Sequence, residues 1–164
     1  MKKRILPWLC AAAVAAAIAV PTVSAETAPI NSGRSVTIQT ASMSVQEQQA
    51  AALINRYRRQ AGVSPAAIST EISRQARVKS RDMKTNHYFS HTSPTYGSPF
   101  SLMRVLGVTY ESAAENIAMG YYNAEDVVEA WMNSPSHRNA MLSDRYTTMG
   151  IGYADGYWTL WLIR

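Results

Sequence analysis

At 164 residues, with a formal net charge of +5 and one cysteine, the chain is long enough to bury a sizeable core, and no disulfide framework is needed to hold it. Much of the positive balance is terminal. Lys2, Lys3 and Arg4 fall in the first 25 residues, which hold no acid, so the remaining 139 residues carry a net charge of only +2. That balance argues against nucleic acid as a partner, since such a domain needs a basic patch on its folded surface.

Residues 1–25 read as a signal peptide. A basic start precedes an apolar run over residues 5–20, interrupted by Pro7. Pro21 then breaks any helix, and Val23-Ser24-Ala25 supplies small residues for cleavage before Glu26. The run is shorter than the roughly 20 residues of a spanning helix. Cys10 lies inside it, after Trp8-Leu9, which is the wrong place for a lipidated first residue. Residues 26–43, rich in Ser, Thr and Ala, read as a flexible linker. Residues 44–164 read as one domain.

Ser44 and Glu47 have capping-box spacing, so the first helix is expected to start at Ser44. Leu53, Ile54 and Tyr57 share a face with Ala50, and Gly62 can end the helix in a left-handed conformation. A second helix is predicted over 69–85, where Ile72, Ala76, Ser80 and Met83 recur near helical spacing. Ser98-Pro99 reads as a cap and first-turn proline for a short helix ended by Gly107. Asn123 caps a fourth helix, with Glu125 and Asp126 in its first turn and Val127, Val128 and Trp131 on its buried side. Ser134-Pro135-Ser136 interrupts it, and a further short helix carries His137.

Met149, Ile151 and Tyr153 then alternate with Gly150 and Gly152, and Ala154-Asp155-Gly156 signals a turn. Residues 157–163 are apolar on both faces, so this strand is covered on both sides. The predicted fold class is α+β: a three-layer α-β-α sandwich around a small antiparallel sheet. Trp158 and Trp161 read as core. Arg56, Arg58, Arg59, Arg74, Arg77, Lys79, Arg81 and Lys84 read as solvated helix faces. His87 and His91 have the spacing of a helical zinc pair, but no Glu follows His87, and it reads as an exposed helix end.

Three segments carry the functional signal. They are Tyr88-Phe89-Ser90-His91, Glu115-Asn116-Ile117-Ala118, and the run from Trp131 through Ser134-Pro135-Ser136-His137-Arg138. In that order, followed by Gly150-Ile151-Gly152-Tyr153 and a Trp-rich last strand, they resemble the bacterial branch of the CAP superfamily, the cysteine-rich secretory and pathogenesis-related group. The resemblance covers residues 45–164. It too implies an α-β-α sandwich. It places His91, Glu115, Ser134 and His137 in one cleft at loop or helix edges, with zinc or another divalent cation held by His91 and His137. Many relatives carry an acid a few residues after the helix tryptophan, where this chain has Ser134.

Two imidazoles can hold one side of a tetrahedral zinc. Glu115 can orient a histidine, act as a base, or polarise a bound water. Alternatively, all three are buried polar groups in a hydrogen-bond network that fixes the loops. The expected function is a secreted, monomeric binding module, extracellular or cell-wall associated, with a lipid-like or cell-envelope ligand. The competing class is a metal-dependent hydrolase of peptide or wall substrates. No residue is assigned as catalytic, since no nucleophile elbow or phosphate loop is present and residues 26–164 hold no thiol.

Overall fold

Helix α1 (Val45–Gln60) begins at Ser44 because the capping box closes in both directions. The Glu47 amide donates to Ser44 Oγ at 3.2 Å, and the Ser44 amide to Glu47 Oε2 at 2.7 Å. The computed structural model describes residues 42–164, so the signal-peptide reading and most of the linker reading lie outside the described residues. Met43, counted with the linker, is only 8% exposed and packs in the core.

The other helices follow their caps. Ser69 starts α2 (Thr70–Thr85), Ser98 starts α3 (Pro99–Val105), and Asn123 starts α4 (Ala124–Asn133). Pro135 opens α5 (Pro135–Met141) directly after α4. Four strands make one sheet in the order β1-β3-β4-β2. They are β1 (Ala67–Ile68), β2 (Ala113–Met119), β3 (Thr148–Ala154) and β4 (Tyr157–Ile163). The predicted hairpin is β3–β4. Its two-residue turn, Asp155-Gly156, has φ of 47° and 84°, the positive values that match strand twist in a tight hairpin.

Two strands are additions to the sequence reading. β1 pairs parallel with β3, so the small sheet is mixed rather than antiparallel throughout. β2 pairs antiparallel with β4, with Glu115 opposite Trp161. Glu115 therefore sits on a strand and not at a loop or helix edge. The run Ala113-Ala114-Glu115-Asn116 has weak strand propensity, and pairing with β4 decides its conformation.

The sheet separates two cores. On one face Met149, Ile151, Trp158, Leu160 and Leu162 meet Ile54 of α1, Val127 and Trp131 of α4 and Met141 of α5. On the other Trp161 and Ile163 meet Ile72 and Ala76 of α2 and Leu102 and Met103 of α3. This is the expected three-layer α-β-α sandwich. Gly150 and Gly152 let α2 press its backbone onto β3. A Cβ on Gly150 would lie 2.4 Å from the Ile72 carbonyl carbon, and one on Gly152 would lie 2.1 Å from the Arg77 nitrogen. Beyond short β1, side chains close the edge of β3. The Ile151 amide donates to Ser73 Oγ at 3.0 Å, and the Tyr153 amide to Glu47 Oε1 at 2.9 Å.

Three of the eight basic residues expected on solvated faces are buried instead: Arg58, Arg77 and Lys79. Each is buried because its donors are satisfied inside. Arg77 pairs with the buried Glu47 carboxylate. Arg58 donates to the carbonyls of Ser64, Met141, Ser143 and Tyr146 at 2.8–2.9 Å. Lys79 holds the loop described next.

Candidate functional site

The C-terminal half of α2 organises the first wall. Lys79 is fully buried, and its Nζ donates to the Ser90 carbonyl at 2.7 Å, the His91 carbonyl at 2.9 Å and the Tyr88 hydroxyl at 3.0 Å. One turn on, Asp82 accepts from Ser93 Oγ and Asn86 Nδ2, each at 2.7 Å, and from the Tyr88 hydroxyl. The segment carrying His91 is thus anchored on both sides of the histidine. Burial pushes the Lys79 ammonium below its usual range, and the charges of Glu115 and Asp82 oppose that shift. Burial pushes Asp82 up, but its bonds from Tyr88, Ser93 and Asn86 outweigh this and hold it below the ordinary carboxylate range. Burial, then the bond to Asp82, raises the Tyr88 phenol well above its ordinary value.

Strand β2 supplies the second wall. Glu115 Oε1 lies 2.8 Å from His91 Nδ1, and Oε2 accepts from Trp161 Nε1 at 2.8 Å. The Glu115 side chain is 2% exposed, whereas that of His91 is 52% exposed. A carboxylate only accepts, so Nδ1 carries the proton and the outer nitrogen, Nε2, keeps the lone pair of the neutral ring. Both Glu115 oxygens are engaged by the scaffold.

Helix α5 supplies the third wall. Asn116 Nδ2 donates to the His137 carbonyl at 3.1 Å, tying α5 to β2. Burial holds the His137 imidazole below its ordinary pKa, and the nearby His91 acts in the same direction. His137 is therefore neutral near pH 7. Ser134 lies at the α4–α5 junction, and its hydroxyl sits 3.3 Å from Ser136 Oγ.

Between these walls is a cavity of about 300 Å³, whose lining includes Phe89, Ile117, Met119, Trp131, Ser134 and His137. A wider depression adjoins it across Tyr121, Ala130 and Ser134, edged by Asp126, Glu129 and Asn133. Phe89 and Met119 remain nearly half exposed at the mouth, although both are large and apolar.

His91 and Glu115 thus form one hydrogen-bonded pair, and His137 and Ser134 line the cavity. His87 stands apart, exposed in a left-handed turn after α2 (φ 52°). Among the described residues no three His, Cys, Asp or Glu side chains are grouped to hold a metal. The donor set offers a divalent ion two imidazoles, with Glu115 orienting one of them. Sequence reasoning missed Lys79, Asp82, Tyr88 and Trp161. The available signal was a lysine three residues after Ala76 and four before Met83, inside the apolar stripe of α2.

The geometry decides what Glu115→Gln does. Both groups facing the carboxylate are donors, and a glutamine amide would turn its own donor toward one of them. The expected cost is about 1–3 kcal/mol of stability, read by urea denaturation. A change below a few tenths would mean that the His91–Glu115–Trp161 chain is not held as described.

A family model described as cysteine-rich secretory protein family, CAP, matches residues 51–160. YkwD of Bacillus subtilis (strain 168) is 45% identical over 120 residues, which is 72% of this chain and 47% of that protein. The membrane protein YlbC of the same strain is 38% identical over 113 residues, 69% of this chain and 33% of that protein. The chain spans less than half the length of either relative. An extracellular protein containing a SCP domain from Bacillus anthracis is similar in structure, with a TM-score of 0.71 and 33% identity over 73% of this chain and 40% of that one. An outer surface protein of Borrelia burgdorferi shares the fold, with a TM-score of 0.65 and 18% identity over 75% of this chain and 96% of that one.

Proposed function

This chain belongs to the cysteine-rich secretory protein (CAP) family, and we propose that it is an extracellular or cell-envelope binding module whose cleft between β2 and α4–α5 takes a ligand. The observation that carries this reading is the state of Glu115. Its side chain is buried and its two oxygens are occupied by Trp161 and His91. It therefore orients His91 and is not free to serve as the general base a hydrolase needs. What remains open to a ligand is a largely apolar cavity with Ser134 and the His137 imidazole in its wall.

The similar extracellular protein of Bacillus anthracis supports the location. No helix of the described residues is long and apolar enough to cross a membrane. Export through a signal peptide cleaved before Glu26 and a linker ahead of Met43 complete the proposal. A zinc or other divalent ion, held by His91 and His137, would add a Lewis-acidic anchor for a ligand's oxygen.

Zinc titration of the purified protein tests the metal part. Affinity is expected to be modest and to fall as pH drops through about 6.5, where protons compete for imidazole. His137, kept below that value by burial, retains its lone pair to lower pH than a free imidazole. His91→Ala or His137→Ala should each abolish binding, and His87→Ala should leave it intact. Equal affinity in all four proteins would remove the metal from the assignment. The zinc-loaded protein is expected to turn over no peptide, ester or wall substrate. Saturable turnover lost in the His91→Ala/His137→Ala double variant and in Glu115→Gln would make the metal-dependent hydrolase the correct reading.

A further inference from the structure

One wall of the cleft is the outer edge of β2. Among the described residues the sheet order puts β2 outermost, with β4 beside it and no strand on its other side. Ser112 and Arg164 exchange backbone bonds (3.5 and 2.9 Å), and the Gly120 amide donates to the Gly156 carbonyl at 2.9 Å. In an antiparallel ladder hydrogen-bonded pairs alternate with non-bonded ones. Ala114, Asn116 and Ala118 therefore turn their backbone groups to β4, and Glu115, Ile117 and Met119 turn theirs outward. The Ile117 carbonyl accepts from Trp131 Nε1 at 3.2 Å. The Ile117 and Met119 amides and the Met119 carbonyl bond no other described residue. Ile117, Ala118 and Met119 are also the β2 residues that line the cavity.

The edge leads toward a charged end. Past Met119 the chain reaches Tyr121, which lines both the cavity and the wider depression edged by Asp126 and Glu129. Neither lining contains a lysine or arginine. Asp126 is partly used by Asn123, whose Nδ2 donates to Oδ2 at 2.8 Å, whereas Glu129 is exposed and its side chain bonds no other described residue.

We propose that the ligand of this cleft is an extended polypeptide segment that adds to the edge of β2 as a further strand, with an aliphatic side chain in the cavity and a basic side chain against Asp126 and Glu129. Main-chain bonds to a free edge supply affinity, and pockets for alternate side chains supply specificity. Residues two apart in a strand share a face about 7 Å apart. The cavity and the depression share Tyr121, Ala130 and Ser134, so alternate side chains of one strand are offered two adjoining recesses. The inference rests on the reading of this cleft as a binding site.

The blocked peptide acetyl-Lys-Thr-Leu-Thr-Lys-amide tests it, because its lysines flank the leucine symmetrically and it reads the same in either strand direction. NMR titration of the whole protein should show saturable shifts at Ile117, Met119 and Glu129. The peptide with Glu in place of both Lys should bind about tenfold or more weakly, and Glu129→Lys should reverse that order. N-methylation of alternate residues in two complementary versions should abolish binding in one of them, since one alternate set of amides faces the edge. Met119→Pro removes an outward N–H from an edge position that tolerates proline and should weaken binding about tenfold. Should that variant fold poorly, the N-methylated peptides carry the same test on the unaltered protein. Undiminished binding of both N-methylated versions, or equal binding of the Lys and Glu peptides, overturns the proposal. Decyl maltoside below its micellar concentration separates the two readings. If it shifts Phe89, Met119 and Trp131 while the peptide shifts nothing, the cleft binds ligands but not strands. If neither probe shifts them, the binding reading of the cleft fails as well.

Discussion

Gly152→Ala is expected to lower stability by about 3–4 kcal/mol or to prevent folding. The added methyl would lie 2.1 Å from the Arg77 nitrogen and 2.3 Å from the Ala76 carbonyl carbon. Both are backbone atoms of α2, so no rotamer change can make room. The helix would have to retreat from β3 by more than 1 Å, given that carbon contacts settle near 3.5–4.0 Å. That retreat would open the layer where Ser80 Oγ sits 2.9 Å from both the Gly152 carbonyl and Thr159 Oγ1. It would also disturb the Arg77–Glu47 pair and, through Lys79, the segment carrying His91. Gly62→Ala is the control. Gly62 has φ of 74° and open space around its Cβ position, so its cost is only the left-handed backbone, about 1–2 kcal/mol. Urea denaturation of both variants compares the two mechanisms. Equal losses would show that α2 does not press on β3 as closely as described.

Arg58→Met is expected to cost about 3–5 kcal/mol, of the order seen when a buried charge network is broken. One guanidinium serves four carbonyls, those of Ser64 after α1, of Met141 at the end of α5, and of Ser143 and Tyr146 beyond it. Methionine matches the stem but leaves these acceptors without a donor in a site where Arg58 is 1% exposed. Burial lowers the Arg58 pKa and the charge of Asp144 opposes this, yet a guanidinium stays protonated throughout the neutral range. Arg58→Lys should recover little, because an ammonium has three donors and cannot span the planar fork. Exposed Arg59→Met should change stability by less than about 0.5 kcal/mol. Thermal melts of the three variants give the order. A loss at Arg58 no larger than at Arg59 would place the guanidinium in solvent.

These two residues also show where reading a sequence stops. Gly150 and Gly152 alternate with Met149, Ile151 and Tyr153 and were legible as a strand. That their missing side chains admit a helix backbone was not legible, because the helix lies some 75 residues earlier in the chain. Arg58 is indistinguishable in sequence from Arg59 beside it. The rotation of 100° between neighbours on a helix sends one inward and the other outward, and the inward one is tolerable only because four distant carbonyls converge on it. Lys79 follows the same logic at the candidate site.

Local chemistry acts over three or four residues, and what it governs is legible from residue types and their spacing. The Ser44–Glu47 capping box, the Ser69, Ser98 and Asn123 caps, the Pro135 restart and the Asp155-Gly156 turn all lie where residue types and spacing put them. A strand apolar on both faces likewise required two covering layers, and His91, Glu115 and His137 were legible as motifs in a fixed order. Tertiary structure alone decided the rest. It made a strand of the weak Ala113–Met119 segment by pairing it with β4. It buried Glu115 between Trp161 and His91, making it an orienting group, and set the Trp131 indole against the Ile117 carbonyl on the outer edge of β2. Such outcomes depend on which distant groups meet, and burial stabilises a polar group only where its partners have already been brought together.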